Sequence, residues 1–236
     1  MKTLYCSLLA VFFSLPVFAA HNPDRVLKVN QPPVHRALTP PSRASTLSQP
    51  PNQSNGVFAD AGCSICTGGE QSVADDFIVS TGGAGFDLKQ ILFWGGYYST
   101  DTPPATDDFD VLIHSDNSGV PGTVICSETG ITTAPRTATG QSLFGVSEYI
   151  ITIDLASTCT LADGTYWIEI YNDTGSVDDD FFWEVGDLDG TNGIAGSLNA
   201  TETPGITWTA GPPDAELAMQ LNGDVVPVEL LSFSIE

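Results

Sequence analysis

The chain has 236 residues, with 29 Asp and Glu against 7 Lys and Arg, a formal net charge of −22 at pH 7. Every carboxylate except Asp24 lies from residue 56 onward, where the only cations are Lys89 and Arg136. So negative a field makes nucleic acid and anionic membrane poor partners for that region. It leaves divalent cations, cationic surfaces, a salty habitat or plain solubility as its use.

Residues 1–19 read as a signal peptide. Lys2 is followed by an apolar run from Leu4 to Phe18, and Val17 and Ala19 are the small residues a signal peptidase reads, so cleavage is expected after Ala19. The run is too short for a membrane span. No later stretch is long and apolar enough to be one, so a secreted, extracellular or cell-surface chain with no transmembrane segment after processing is expected. Residues 20–55 are rich in Pro, Ser, Gln and Asn, carry scattered cations and have no hydrophobic period, which reads as a disordered leader. Residues 56–236 are then expected to form one domain.

Four cysteines remain once Cys6 is removed with the signal: Cys63, Cys66, Cys126 and Cys159. An even number in an exported chain predicts disulfides, with three possible connectivities. The preferred pairing is Cys63–Cys66, inside a Gly-rich loop, and Cys126–Cys159, tying two strand ends. Closing the second loop is worth roughly 3–4 kcal/mol in the chain-entropy model. A zinc or redox reading of Cys63-Ser64-Ile65-Cys66 lacks the second pair, the nearby His or the following helix that those sites need.

From residue 56 the punctuation is that of an all-β domain. Residues 73–79 are a first strand. Residues 91–98 are a second, in which Gly95-Gly96 suggests a bulge. Residues 109–114 are a third, followed by the turn cluster 115–122 and a short strand at 124–127. Residues 130–140 read as a polar, Thr-rich connection, and 148–155 as a strand with clear alternation. The segment 163–185 reads as a hairpin: a strand, an acidic loop at Asp178-Asp179-Asp180, and a partner strand restarting at Phe181. In its first strand Tyr166, Ile168 and Ile170 form the core face, and Trp167, Glu169 and Tyr171 the opposite face. Short strands at 206–209, 215–221 and 225–235 complete the pattern. About ten turn-bounded strands predict an antiparallel two-sheet β-sandwich, and the domain length suits a jelly-roll-like arrangement.

Several segments carry a resemblance: Val73-Ala74-Asp75-Asp76-Phe77, residues 91–98, residues 116–122, Leu161-Ala162-Asp163-Gly164-Thr165-Tyr166-Trp167-Ile168, Phe182-Trp183, and Leu217-Ala218-Met219-Gln220-Leu221. Together they resemble secreted bacterial β-sandwich domains of choice-of-anchor and PEP-CTERM-type surface proteins. The resemblance covers most of residues 70–223. It implies a jelly-roll-like fold and an extracellular location, and no catalytic residues. The end, Val226-Pro227-Val228-Glu229-Leu230-Leu231-Ser232-Phe233, is similar to the segment that precedes sorting regions in such proteins; the preferred reading is a last edge strand.

The candidate sites follow from residue chemistry. Trp167, Glu169 and Tyr171 set two large aromatics beside a carboxylate, a platform on which a sugar ring would stack. Asp178, Asp179, Asp180, Asp187 and Asp189 supply clustered oxygens suited to structural calcium, the one candidate cofactor, against a plainer reading as solvated loop tips. A Ser-His-Asp triad would have to use His114, the only histidine past the leader, and no Gly-x-Ser-x-Gly motif accompanies it. The leading expectation is an exported, non-catalytic module with a surface, adhesive or ligand-binding role, its partner a glycan or another surface protein. The alternatives are a carbohydrate-active enzyme using a carboxylate pair and a structural surface or matrix component.

Overall fold

The computed structural model describes residues 26–28, 45–61, 71–98, 102–175, 180–187, 199–201, 208–210 and 216–226. These residues form two antiparallel sheets packed as a sandwich, with no helix among them. The strands are β1 (Val26–Lys28), β2 (Ser45–Gln49), β3 (Pro51–Phe58), β4 (Ser72–Val79), β5 (Phe86–Tyr97), β6 (Phe109–Asp116) and β7 (Pro121–Ile131). They continue as β8 (Arg136–Leu143), β9 (Val146–Leu161), β10 (Gly164–Asn172), β11 (Phe181–Gly186), β12 (Asn199–Thr201), β13 (Thr209–Ala210) and β14 (Met219–Val225). One sheet runs β1-β3-β11-β5-β14-β2, with β9 also on β5 and β8 on β9; the other runs β13-β12-β4-β10-β6-β7.

The core follows from period-2 alternation on facing strands. Phe93 of β5 meets Phe109 of β6 across the sandwich, with ring centroids 5.3 Å apart, and touches Phe181 and Trp183 of β11. Ile168 and Ile170 are fully buried against this cluster, and Tyr166 packs at its rim against Phe77. The pairing Cys126–Cys159 is present, with a Cα–Cα distance of 6.0 Å, and it joins β7 of one sheet to β9 of the other. Cys63 and Cys66 lie outside the described residues.

Three expectations change. The segment 163–185 is not a hairpin: β10 lies in one sheet and β11 in the other. Both strands are buried on both faces, and alternation alone does not say which sheet a strand joins. Gly95 and Gly96 mark no bulge. The register of β5 against β11 is unbroken through both glycines, and the shift against β9 falls between Leu88 and Gln90 instead. A Cβ on Gly95 would stand 2.2 Å from the Phe182 carbonyl oxygen, and one on Gly96 would stand 2.8 Å from that of Ser147; the glycines permit close backbone approach.

The third change concerns residues 20–55, read as a leader: β1, β2 and much of β3 fall inside this stretch and pair with the sandwich. Their amides answer buried acids. Gln49 Nε2 donates to Asp75 Oδ2 at 3.2 Å and to Glu216 Oε2 at 3.1 Å. Gln53 Nε2 donates to Glu184 Oε1 at 3.1 Å and to Glu148. All four acids are buried, and a buried carboxyl group without partners would cost several kcal/mol. Polar composition here reflects partnership with interior acids. The strand β8 has no counterpart among the expected strands, because most of it is exposed and it lacks an apolar face.

Candidate functional site

The outer face of the β4-β10-β6 layer carries the chemistry. Cross-strand register sets Trp167 beside His114 and Asp76, Glu169 beside Leu112 and Ala74, and Tyr171 beside Asp110. The face is covered. Trp167 and Glu169 have no exposed surface and Tyr171 is 7% exposed, so the expected open aromatic platform is absent from these three residues.

Each instead holds a neighbour. The Trp167 indole donates from Nε1 to Asp116 Oδ1 at 2.9 Å. The Tyr171 hydroxyl donates to Asp110 Oδ2 at 2.9 Å, and burial together with that hydrogen bond and the Asp110 charge pushes the phenol well above its ordinary value. Glu169 Oε1 accepts from the Ser72 hydroxyl, and Glu169 Oε2 lies 2.7 Å from His114 Nε2. His114 Nδ1 lies 3.1 Å from the Gly122 carbonyl oxygen.

Ser72, Glu169 and His114 thus meet, but not as a nucleophile and base. The carboxyl group stands between the serine and the imidazole, and both ring nitrogens face oxygens, so neither is left to take a proton from Ser72. All three side chains are buried, away from any substrate.

This chain of contacts supports a pocket of about 480 Å³ lined by Ser115, Asp116, Asn117, Pro121, Gly122, Thr123 and Trp208. The pocket sits at the β6–β7 turn, where Ser118 (φ 60°) and Gly119 (φ 86°) reverse the chain. Asp116 organises that turn: its Oδ2 accepts from Ser118 N at 3.1 Å and its Oδ1 from Gly119 N at 3.0 Å, in addition to the Trp167 indole. Trp208 is half-buried and stands edge-on to His114, with centroids 5.9 Å apart. The buried network therefore fixes three parts of the pocket: Asp116 through Trp167, the Gly122 carbonyl through His114, and Trp208 by ring contact.

The carboxylates expected to bind calcium are only partly described. Asp178, Asp179 and Asp189 lie outside the described residues. Asp180 is buried at the start of β11, where its carbonyl oxygen accepts from Tyr98 N. The backbone N–H of Asp187 donates to the Pro50 carbonyl at 2.9 Å. Among the described residues, no group of three or more His, Cys, Asp or Glu is arranged to hold a metal ion.

Of the pocket residues, the sequence places Asp116 and Asn117 in a turn cluster and Trp208 on a short strand, with nothing to connect them. Trp208 lies 92 positions from Asp116 in the chain, a separation only the fold closes. Comparisons with family models, with curated proteins and with solved structures return no match.

Proposed function

We propose that this chain is an exported, non-catalytic β-sandwich module that binds a carbohydrate in the pocket walled by Trp208. The observation that carries the reading is the juxtaposition of a half-exposed indole with the hydroxyl, amide and carboxylate groups of Ser115, Thr123, Asn117 and Asp116. An indole face attracts the C–H face of a pyranose ring, while the surrounding groups exchange hydrogen bonds with its hydroxyls. The polar groups are tied to a rigid strand end, which lowers the entropy cost of binding.

Binding is favoured over hydrolysis because a glycosidase needs two carboxyl groups flanking one bond. Among the described lining residues, Asp116 alone carries one, and its oxygens are engaged by the turn. A surface location is supported by the signal-like start, by the resemblance to choice-of-anchor surface proteins and by the Cys126–Cys159 bond, which belongs to an oxidising compartment.

The test is calorimetry against a glycan panel, with reducing-end assays run on the same samples. Saccharide binding without hydrolysis is expected, and Trp208→Ala should weaken it roughly 10- to 100-fold, the usual loss for an aromatic anchor, with an unchanged circular dichroism spectrum. Hydrolysis of any glycan would overturn the non-catalytic reading. Binding indifferent to Trp208 would remove the pocket from it.

A further inference from the structure

Among the described residues, the strand β7 ends its sheet. It pairs with β6 on one side, and among the described residues no strand pairs with its other side. It is 11 residues long, and Val124 (41%) and Ile125 (45%) are two of the large apolar side chains left exposed in the molecule. Natural edge strands are ordinarily blunted by lysines, internal prolines or inward charges, because their free N–H and C=O groups template another strand. After Pro121 this one has no lysine and no proline, and its single charge is Glu128. Glu128 is turned across the sandwich, where its Oε2 accepts from Ala156 N at 2.8 Å, and the register against β6 shifts between Ile113 and His114, so the edge has an inward charge and an irregularity but no lysine or internal proline to keep a strand off.

Directly inside this edge lies a second cavity, of about 290 Å³. Its apolar walls are Val111 and Ile113 of β6, the Cys126–Cys159 bond and Leu155; Glu128, held to Ala156 N, lines it as well, and its rim includes Ser127 and Ser157. A distortion in β9 creates it. The pairing with β5 passes from Asp154↔Gln90 to Cys159↔Leu88, so residues 155–158 stand against Lys89 alone and bow away from their sheet. An unpaired edge with a largely apolar pocket beside it is the arrangement by which sheets capture extended peptides: backbone bonds supply affinity, and the pocket selects a side chain.

We infer that the outer edge of β7 binds an extended segment of a partner protein by strand addition, with a branched aliphatic side chain seated in the cavity between β7 and the 155–158 bow. Charge decides the occupant. A second copy of this chain would bring another net charge of −22 against the first, whereas a neutral strand flanked by lysine or arginine is attracted by the field. This site is separate from the Trp208 pocket and does not rest on the carbohydrate reading.

The test uses the purified chain with the Cys126–Cys159 bond intact and a synthetic heptapeptide of alternating threonine and valine with a lysine at each end. Amide hydrogen exchange over residues 123–129 should slow at least about tenfold on peptide addition, and the Val111 and Ile113 methyl resonances should shift. Replacing the valines by alanine should weaken binding about tenfold, as expected for lost methyls in an apolar pocket. Ser157→Phe, whose ring fills the cavity, should abolish that valine preference at an unchanged melting temperature. The counterpart peptide with glutamate ends should bind more weakly, the difference shrinking at high salt. Absence of protection on β7, or equal binding by a peptide N-methylated on alternate amides, would overturn the proposal. So would sedimentation showing a dimer, with β7 already protected, before any peptide is added.

Discussion

Glu169 sits in the middle of β10 with no exposed surface, and its two oxygens meet Ser72 and His114. A buried acid is stable only when such partners are in place, and removing one side of the set leaves the other stranded. Glu169→Ala should therefore destabilise the protein by about 3–5 kcal/mol, read as a lower urea midpoint. Glu169→Gln keeps the shape and an acceptor, and should cost less, about 1–3 kcal/mol. If both variants melt like the parent, the network has no part in stability. Because His114 also fixes the Gly122 carbonyl and touches Trp208, Glu169→Gln should weaken ligand binding in the pocket without contacting the ligand. The same logic explains Tyr97 at the other end of the sandwich. Its hydroxyl donates to Asp107 Oδ1 at 2.6 Å, and Arg136 lies against both, so one of the two cations of the acidic region is placed where a buried acid and a ring face require it.

At the scale of elements, β7 and β9 belong to different sheets and meet through few contacts apart from the Cys126–Cys159 bond and the Glu128 to Ala156 N hydrogen bond. The bond closes a loop with a sequence separation of 33. Chain entropy assigns such a loop about 3.5 kcal/mol. The double variant Cys126→Ala/Cys159→Ala should lose about that amount in denaturant unfolding, and exchange should rise first along β7 and the 155–158 bow. A uniform rise over all strands would mean that the bond acts on the unfolded chain alone. The pairs β2–β14 and β3–β11 make a second coupling. Through Gln49 and Gln53 they carry the amides that the interior acids use, so truncation before residue 56 should destabilise the sandwich.

For the whole molecule, acidity enters the interior as well as the surface. Burial first, and then the nearby Glu216 and Asp76 carboxylates, hold the Asp75 carboxyl well above its usual range. A group whose folded value is raised binds its proton more tightly when folded. Its contribution is therefore complete below the unfolded value, about 3.9, and is lost as pH rises through the raised one. Above about pH 4, and up through its raised folded value, this group makes stability fall as pH rises. Asp75→Asn should flatten the dependence of the urea midpoint on pH over that window relative to the parent. The carboxamide oxygen it introduces can still accept from Leu217 N, as Asp75 Oδ2 does at 2.6 Å. Parallel pH profiles for the two proteins would show that Asp75 keeps its ordinary value in the fold.

By itself the sequence determined what local pattern controls. Alternation and turn residues led to an antiparallel sandwich, placed Ile168 and Ile170 in its core, and made Cys126–Cys159 the preferred pair, because these depend on neighbours along the chain and on counting. It did not determine which sheet each strand joins, so the segment 163–185 has the pattern of a hairpin although β10 and β11 fall into different layers. Nor did it reveal that Trp167, Glu169 and Tyr171 are covered: alternation separates two faces of a strand but does not report whether a second layer lies over the outer one. The stretch before residue 56 reads as disordered because sequence patterning scores apolar residues, whereas Gln49 and Gln53 are recruited by acids far along the chain. The pocket is illegible for the same reason, since Asp116 and Trp208 become neighbours only through long-range packing, and only tertiary structure sets such distances.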